Sequence, residues 1–256
     1  MATVDDRSKK KTVLNLVAGA ILLIALTGFF VFAFARLRYN WEWDRLWEYR
    51  NAVLKGWGLT VLISICALVL SVVLGFLLVV AQRCGIAVIR IASKTYVVAI
   101  RGTPLLVQIL IAYYVVAPVF LFNNKTFVGI LALALFSAAY LAEIFRGGID
   151  SVAKTQVDAA RAVGFVPHQI YRYVIIPQAM RRVLPGVAGE LVNLIKNSSL
   201  LMVIGVEEFT HSTYGFFSAT YKGFEGFLIM GVGYLLLTLP VTYLTYYLEK
   251  KFRYES

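Results

Sequence analysis

Five runs without a single Asp, Glu, Lys or Arg constrain this chain more than anything else in it: 12–35, 56–82, 102–124, 126–142 and 226–248. At 1.5 Å per residue, about 20 apolar residues cross a hydrocarbon core of ~30 Å. Four of the runs exceed that length, and 126–142 reaches it by continuing through Glu143. A sixth segment, 183–206, is a span interrupted by Glu190 and Lys196. In lipid every backbone amide must be satisfied within its own segment, so six such segments imply six helices and an all-α polytopic membrane protein. Composition agrees, with 60% hydrophobic and 15% charged residues in 256. The first run is too long for a cleavable signal and reads as a retained span. Cys66 and Cys84 suggest no disulfide framework.

The net charge of +11 is a matter of topology rather than of nucleic-acid binding. Of the 25 Lys and Arg, 17 fall in 1–11, 83–101, 143–182 and 249–256, against 7 in 36–55, 123–125 and 207–225. Positive residues hold loops in the cytoplasm, so both termini are expected there. The resulting division is a cytoplasmic N-terminus (1–11), a first span (12–35), a periplasmic segment (36–55), a transmembrane body (56–250) and a cytoplasmic C-terminus (251–256). The segment 36–55 interleaves basic residues with Tyr39, Trp41, Trp43, Trp47 and Tyr49, the pattern of an interfacial amphipathic helix.

Within the long cytoplasmic interval 147–182, "DAARAVGFVPHQIYRYVIIP" (158–177) predicts two short helices. Ser151 or Thr155 is expected to cap the first, with Asp158 toward its positive end. Ala159, Ala160 and Ala162 leave a smooth surface, and Gly164 suits a left-handed turn. Pro167 fits the first turn of a second helix, which Pro177 is expected to stop. A connector between spans needs nothing like this length, which argues for a docking surface.

"DAARAVG", nine residues, then "VIIP" resembles the EAA motif of ABC-importer permeases, EAA-x3-G-x9-I-x-L-P, with Asp158 in place of Glu. The blocks "RGTPLLVQ", "YLAEIFRGGI", "IPQAMRRVLP" and "LIKNSSL" are similar to its polar amino-acid branch, the histidine, glutamate, glutamine, arginine and opine permeases. The resemblance covers about residues 54–250. It implies a type I importer permease fold with a five-span core, the first helix being an addition. It also implies a coupling helix, with Asp158, Ala159, Ala160, Arg161 and Gly164 facing a separate ATPase subunit that holds ATP-Mg. The other implied partners are a second permease, identical or homologous, and a soluble substrate-binding protein. This chain has no G-x-x-x-x-G-K-[ST] of its own and is expected to bind no cofactor.

Ionisable residues at membrane depth point to function. Glu190, Asn193 and Asn197 share one helix face, with Lys196 beside it. In one reading Lys196 pairs with Glu190 or reaches for the interface, and the serines hydrogen-bond neighbouring helices. In the other, Lys196 and Asn197 border an amino-acid site with Glu190 and Asn193, which is the position the resemblance implies. Asn197 stands where many relatives carry Asp, which points to an acidic or neutral side chain on the substrate. Gln108, after Pro104, is either a pocket residue or satisfies backbone freed by the proline. Glu143 and Arg146 form an expected ion pair. Glu207, Glu208 and His211 either meet the binding protein or are solvated. His168 and His211 fall on opposite sides of the membrane, so no catalytic or metal-ligating residue is assigned and the chain is not expected to be an enzyme. The alternative function is a self-sufficient, ion-coupled amino-acid transporter, which calls for matched repeats of broken helices.

Overall fold

A computed structural model describes residues 4–36, 39 and 41–252. The expectations on residues 1–3 and 253–256, and on positions 37, 38 and 40 of the aromatic segment, lie outside the described residues. The described chain is helical, in the order α1 (Val4–Arg36), α2 (Trp43–Arg83), α3 (Ala87–Arg101), α4 (Leu105–Ile111), α5 (Ala117–Val119), α6 (Lys125–Asp150), α7 (Lys154–Ala162), α8 (Pro167–Ile170), α9 (Ile176–Asn197), α10 (Phe209–Thr220) and α11 (Gly223–Phe252). Five helices are long and apolar enough to cross a membrane, or six if the bent pair α3 and α4–α5 counts as one span.

The chain divides into two compact units, 1–43 and 44–256. The first is the single helix α1 followed by an aromatic cluster, in which Trp41 stacks on Trp43 at 5.6 Å and meets Tyr39 edge-on at 5.1 Å.

In the second unit α6 is the central helix. Its run of small residues leaves Ala134, Ala138, Ala139 and Ala142 fully enclosed, because only short side chains let neighbouring backbones come so near. Around it, Ile63 and Ala67 of α2, Leu105 and Ile109 of α4, Leu194 of α9 and, beyond it, Leu201, Ile204 and Val206 close one apolar core. Gly148 of α6 sets the approach of α9: a Cβ there would lie 2.5 Å from the Val183 side chain. Gly75 does the same for α2, where a Cβ would meet Leu141 at 2.9 Å.

Two expectations of the backbone change. The run 102–124 is not one straight span. The chain breaks at Gly102–Pro104, bends by 110° and resumes as a helical stretch from Leu105 to Val119. Pro104 disfavours helical geometry at Thr103, and 15 residues of helix reach only about 22 Å. With α3, which lies in the stretch 83–101 read as a loop, Leu105–Val119 forms a bent pair, one broken span or a re-entrant loop. Pro177 likewise does not stop its helix. The turn Tyr171–Ile175 widens to π geometry, the Ile176 amide donates to Tyr171 O five residues back, and α9 continues beyond. The same device, Ala112–Val116, precedes Pro118. A π turn gives the proline ring the room that a regular α turn denies it.

Candidate functional site

The knuckle at 151–175 is built by its glycine. Gly164 adopts φ +89°, the left-handed conformation. Its amide donates to Arg161 O at 3.0 Å and that of Phe165 to Ala160 O at 3.0 Å, the paired bonds of a Schellman turn. Pro167 then opens α8, where Gln169 Oε1 accepts from the Val166 amide at 3.0 Å. The expected cap at Ser151 or Thr155 is absent. The N-cap position falls on Ala153, Thr155 lies inside α7, and Ser151 Oγ donates back to Gly148 O at the end of α6. Asp158 sits mid-helix and pairs with Arg161 at 3.1 Å instead of facing the helix start.

The alanine face also divides. Ala159 is exposed, whereas Ala160 turns inward onto Ile170 and Ile175, giving the knuckle its own small core. Gln178 Nε2 donates to Gln156 Oε1 at 2.6 Å and ties α7 to α9. What faces outward beside Gly164 is apolar: Val163 is 74% exposed, with Phe165, Val166 and Tyr173 around it. Sequence reasoning passed over these residues. The available signal was three bulky apolar side chains bracketing a loop glycine, where a solvated turn would carry polar ones.

Below the knuckle, Glu143 pairs with Arg146 at 2.6 Å as expected and with Arg101 at 3.4 Å. Asp150 pairs with Arg146 and Arg83, so the ends of α2, α3 and α6 share one ionic cluster.

The polar residues of the sixth segment separate into distinct surroundings. Glu190 is buried; its carboxylate accepts from Ser137 Oγ at 2.7 Å and from Asn193 Nδ2 at 3.1 Å, joining α9 to α6. Lys196 does not join them. It is exposed, and its ammonium makes no hydrogen bond or ion pair among the described residues, while its carbonyl accepts from Ser199 Oγ at 2.7 Å. Asn197 is half-buried where α9 gives way to the 3-10 stretch Ser198–Ile204. From Lys196 to Ile204, one α step and seven 3-10 steps cover about 15 Å, half of a hydrocarbon core of ~30 Å. Gln108 lies elsewhere: its Nε2 donates to Ile100 O and Thr103 Oγ1, each at 2.8 Å, and closes the break before α4.

Lys196 lines a cleft of about 440 Å³ with Ser199, Thr210, Phe227, Met230 and Tyr234. Glu208 holds the back wall. Fully buried, it caps α10 by accepting from the amides of Thr210 at 2.9 Å and His211 at 2.8 Å, and it accepts from Tyr234 OH at 3.0 Å. Thr210 Oγ1 and Tyr234 OH share a hydrogen bond of 2.7 Å, and Thr60 of α2 closes the network against Glu208 and the Phe209 amide. Burial raises the Glu208 carboxyl above its ordinary range, while the two amides and the tyrosine pull it down. Glu207, by contrast, is exposed and pairs with Lys125 at 3.5 Å. The sequence separates these adjacent acids only through the position of Glu208 immediately before a helix.

The family of binding-protein-dependent transport system inner membrane components matches residues 86–254. The octopine transport system permease protein OccM of Rhizobium radiobacter is 35% identical over 80% of this chain and 87% of its own length. The glutamine transport system permease protein GlnP of Escherichia coli K12 is 29% identical over 84% of this chain and 99% of its own. Among solved structures, an amino acid ABC transporter crystallised with histidines superposes with a TM-score of 0.78 at 32% identity, over 83% of this chain and all of that one. An inward-facing MetNI methionine ABC transporter gives 0.67 at 16% identity, over 79% and 97%, a likeness of fold alone.

Proposed function

The chain belongs to the family of binding-protein-dependent transport system inner membrane components, and from that premise we infer that it is the permease of an ATP-binding-cassette importer of polar amino acids. The knuckle is its power input. The carrying observation is an apolar tip of Val163, Phe165 and Val166, exposed around a rigid left-handed turn at the polar end of the bundle. Such a patch calls for a protein partner. That partner is a separate ATPase subunit, which binds ATP-Mg and meets Ala159, Arg161, Gly164 and the apolar tip. Ala160 supports the surface from within, and Asp158 orients Arg161.

The knuckle is continuous with the helix that carries Lys196. From Ile176 to Asn197, α9 is 22 residues, a lever of about 33 Å. Gln156 and Gln178 clamp α7 to its foot. A push on the knuckle therefore tilts α9 and moves Lys196, which is the movement alternating access requires. A charged, exposed ammonium halfway across a bilayer is costly against lipid, so this face of α9 borders an aqueous pathway shared with a second permease. There the Lys196 ammonium, in the cleft that Ser199 and Thr210 also line, receives the carboxylate of the amino acid handed over by a soluble binding protein. Asn197 leaves no carboxylate to attract a cationic side chain, which favours acidic or neutral substrates. The Lys and Arg distribution supports a cytoplasmic knuckle and cytoplasmic termini.

The test is purification of the tagged chain from its membrane in mild detergent, with identification of what co-elutes. A stoichiometric P-loop ATPase, lost on Gly164→Asp while membrane insertion persists, is the expected result. A chain that elutes alone and moves amino acids on an ion gradient would refute the reading.

A further inference from the structure

A second charged cleft lies at the end of the bundle that carries α7. Two adjoining cavities, of about 760 and 440 Å³, share Arg181, Arg182 and Phe252 and so form one groove between the foot of α9, the last turns of α11 and α7. Among the described residues its basic side chains are Arg181, Arg182 and Lys250, and its one acid is Glu249. Arg182 and Lys250 are exposed and make no ion pair or hydrogen bond among the described residues. On the far side, Gln156 and Gln178 present amides.

The surroundings say what kind of anion fits. Tyr243, Tyr246 and Tyr247 of α11 are each more than half exposed, the aromatic belt that marks headgroup depth. Apolar side chains are exposed beside and inward of this belt, Leu244 within it, Leu239 one turn before Tyr243 on α11, and Leu184 on α9. The groove thus offers positive charge where a headgroup phosphate would lie and hydrocarbon where acyl chains would follow. A soluble anion would use only the first, and an acidic protein loop would gain nothing from the second. We propose that the groove formed by Arg181, Arg182 and Lys250 is a binding site for the phosphate of an anionic phospholipid. Basic pockets between spanning helices suit this role. The site sits on the foot of the α9 lever, so its occupant braces the helix that joins the knuckle to Lys196.

The proposal stands apart from the transport reading and is tested on the full chain in detergent. The thermal midpoint is followed while phosphatidylglycerol, phosphatidylcholine or inorganic phosphate is titrated in. Phosphatidylglycerol is expected to raise it saturably, the other two little. Each charge contributes about 1 kcal/mol near a membrane surface, a factor of roughly five. Arg182→Gln and Lys250→Gln should therefore each weaken the apparent affinity about fivefold, and the pair about 25-fold. Lys94→Gln on α3 should leave it unchanged. An equal response to inorganic phosphate would make this a soluble-anion site, and undiminished phosphatidylglycerol binding by both single variants would remove these side chains from it. If phosphatidylglycerol had no effect while the purified ATPase shielded a cysteine placed at position 182, the groove would be a protein surface. Each of these three results overturns the proposal.

Discussion

Replacing Gly164 by alanine isolates what the knuckle's shape contributes. A Cβ at this position meets nothing within 4 Å, so the substitution creates no clash. Its whole cost is the backbone: at φ +89° an L-residue is less favourable than glycine by about 1–2 kcal/mol. That energy weighs against the Schellman turn, which holds Val163, Phe165 and Val166 in one orientation. If only the closed turn docks, apparent affinity falls with the fraction of closed turns. An energy of 1–2 kcal/mol corresponds to roughly a 5- to 30-fold loss. The assay is a titration of purified ATPase subunit onto detergent-solubilised permease, with uptake in reconstituted vesicles alongside. Asparagine tolerates the left-handed region better than alanine, so Gly164→Asn should recover much of the loss although its side chain is larger. An alanine variant that docks like wild type would refute the reasoning. So would an asparagine variant as weak as alanine, since only the side chain's presence would then matter.

Three further expectations follow from the geometry. Lys196→Met should lower amino-acid uptake about tenfold or more, the scale of one lost hydrogen bond to a charged group, while ATPase co-purification is unchanged; normal uptake would take the cleft off the pathway. Glu208→Ala removes the α10 cap and a partner of Tyr234, at about 2 kcal/mol, read as a lower thermal midpoint. Because the folded Glu208 carboxyl is raised, its contribution to stability is complete below the ordinary glutamate value of about 4.3 and is lost as pH rises through the folded value. Thermal midpoints of wild type should fall across that window, and those of Glu208→Gln should fall less. Gly148→Val forces α6 away from Val183 and should destabilise by about 1–3 kcal/mol, with partial rescue by Val183→Ala; an unchanged midpoint would contradict the close approach.

Much of this was legible in the residues because lipid removes alternatives. A charge-free run as long as a bilayer is thick leaves its backbone little choice but helix, and the runs 12–35, 56–82 and 226–248 each fall within a single helix, whereas 102–124 breaks at Pro104. The Gly164 turn and the start of α8 at Pro167 were readable because few residues suit those backbone geometries. Prolines misled where a neighbouring turn absorbed them. Nothing local to Pro177 announces that Tyr171–Ile175 will widen to make room for the ring.

The class of molecule, the knuckle and the family are properties of short contiguous stretches and were legible in the residues alone, whereas six expected spans became five helices, or six if the bent pair counts as one. Tertiary structure decided which polar side chains belong together. Glu190, Asn193, Lys196 and Asn197 lie within eight residues of one helix, yet Glu190 is occupied by Ser137 of α6 and Lys196 opens onto Thr210 and Tyr234. Partners come from segments as far as 149 residues away along the chain, as in the bond of the Phe209 amide to Thr60, with Thr210 reaching Tyr234 across 24. Helical periodicity places side chains on faces, but only packing determines what each face meets.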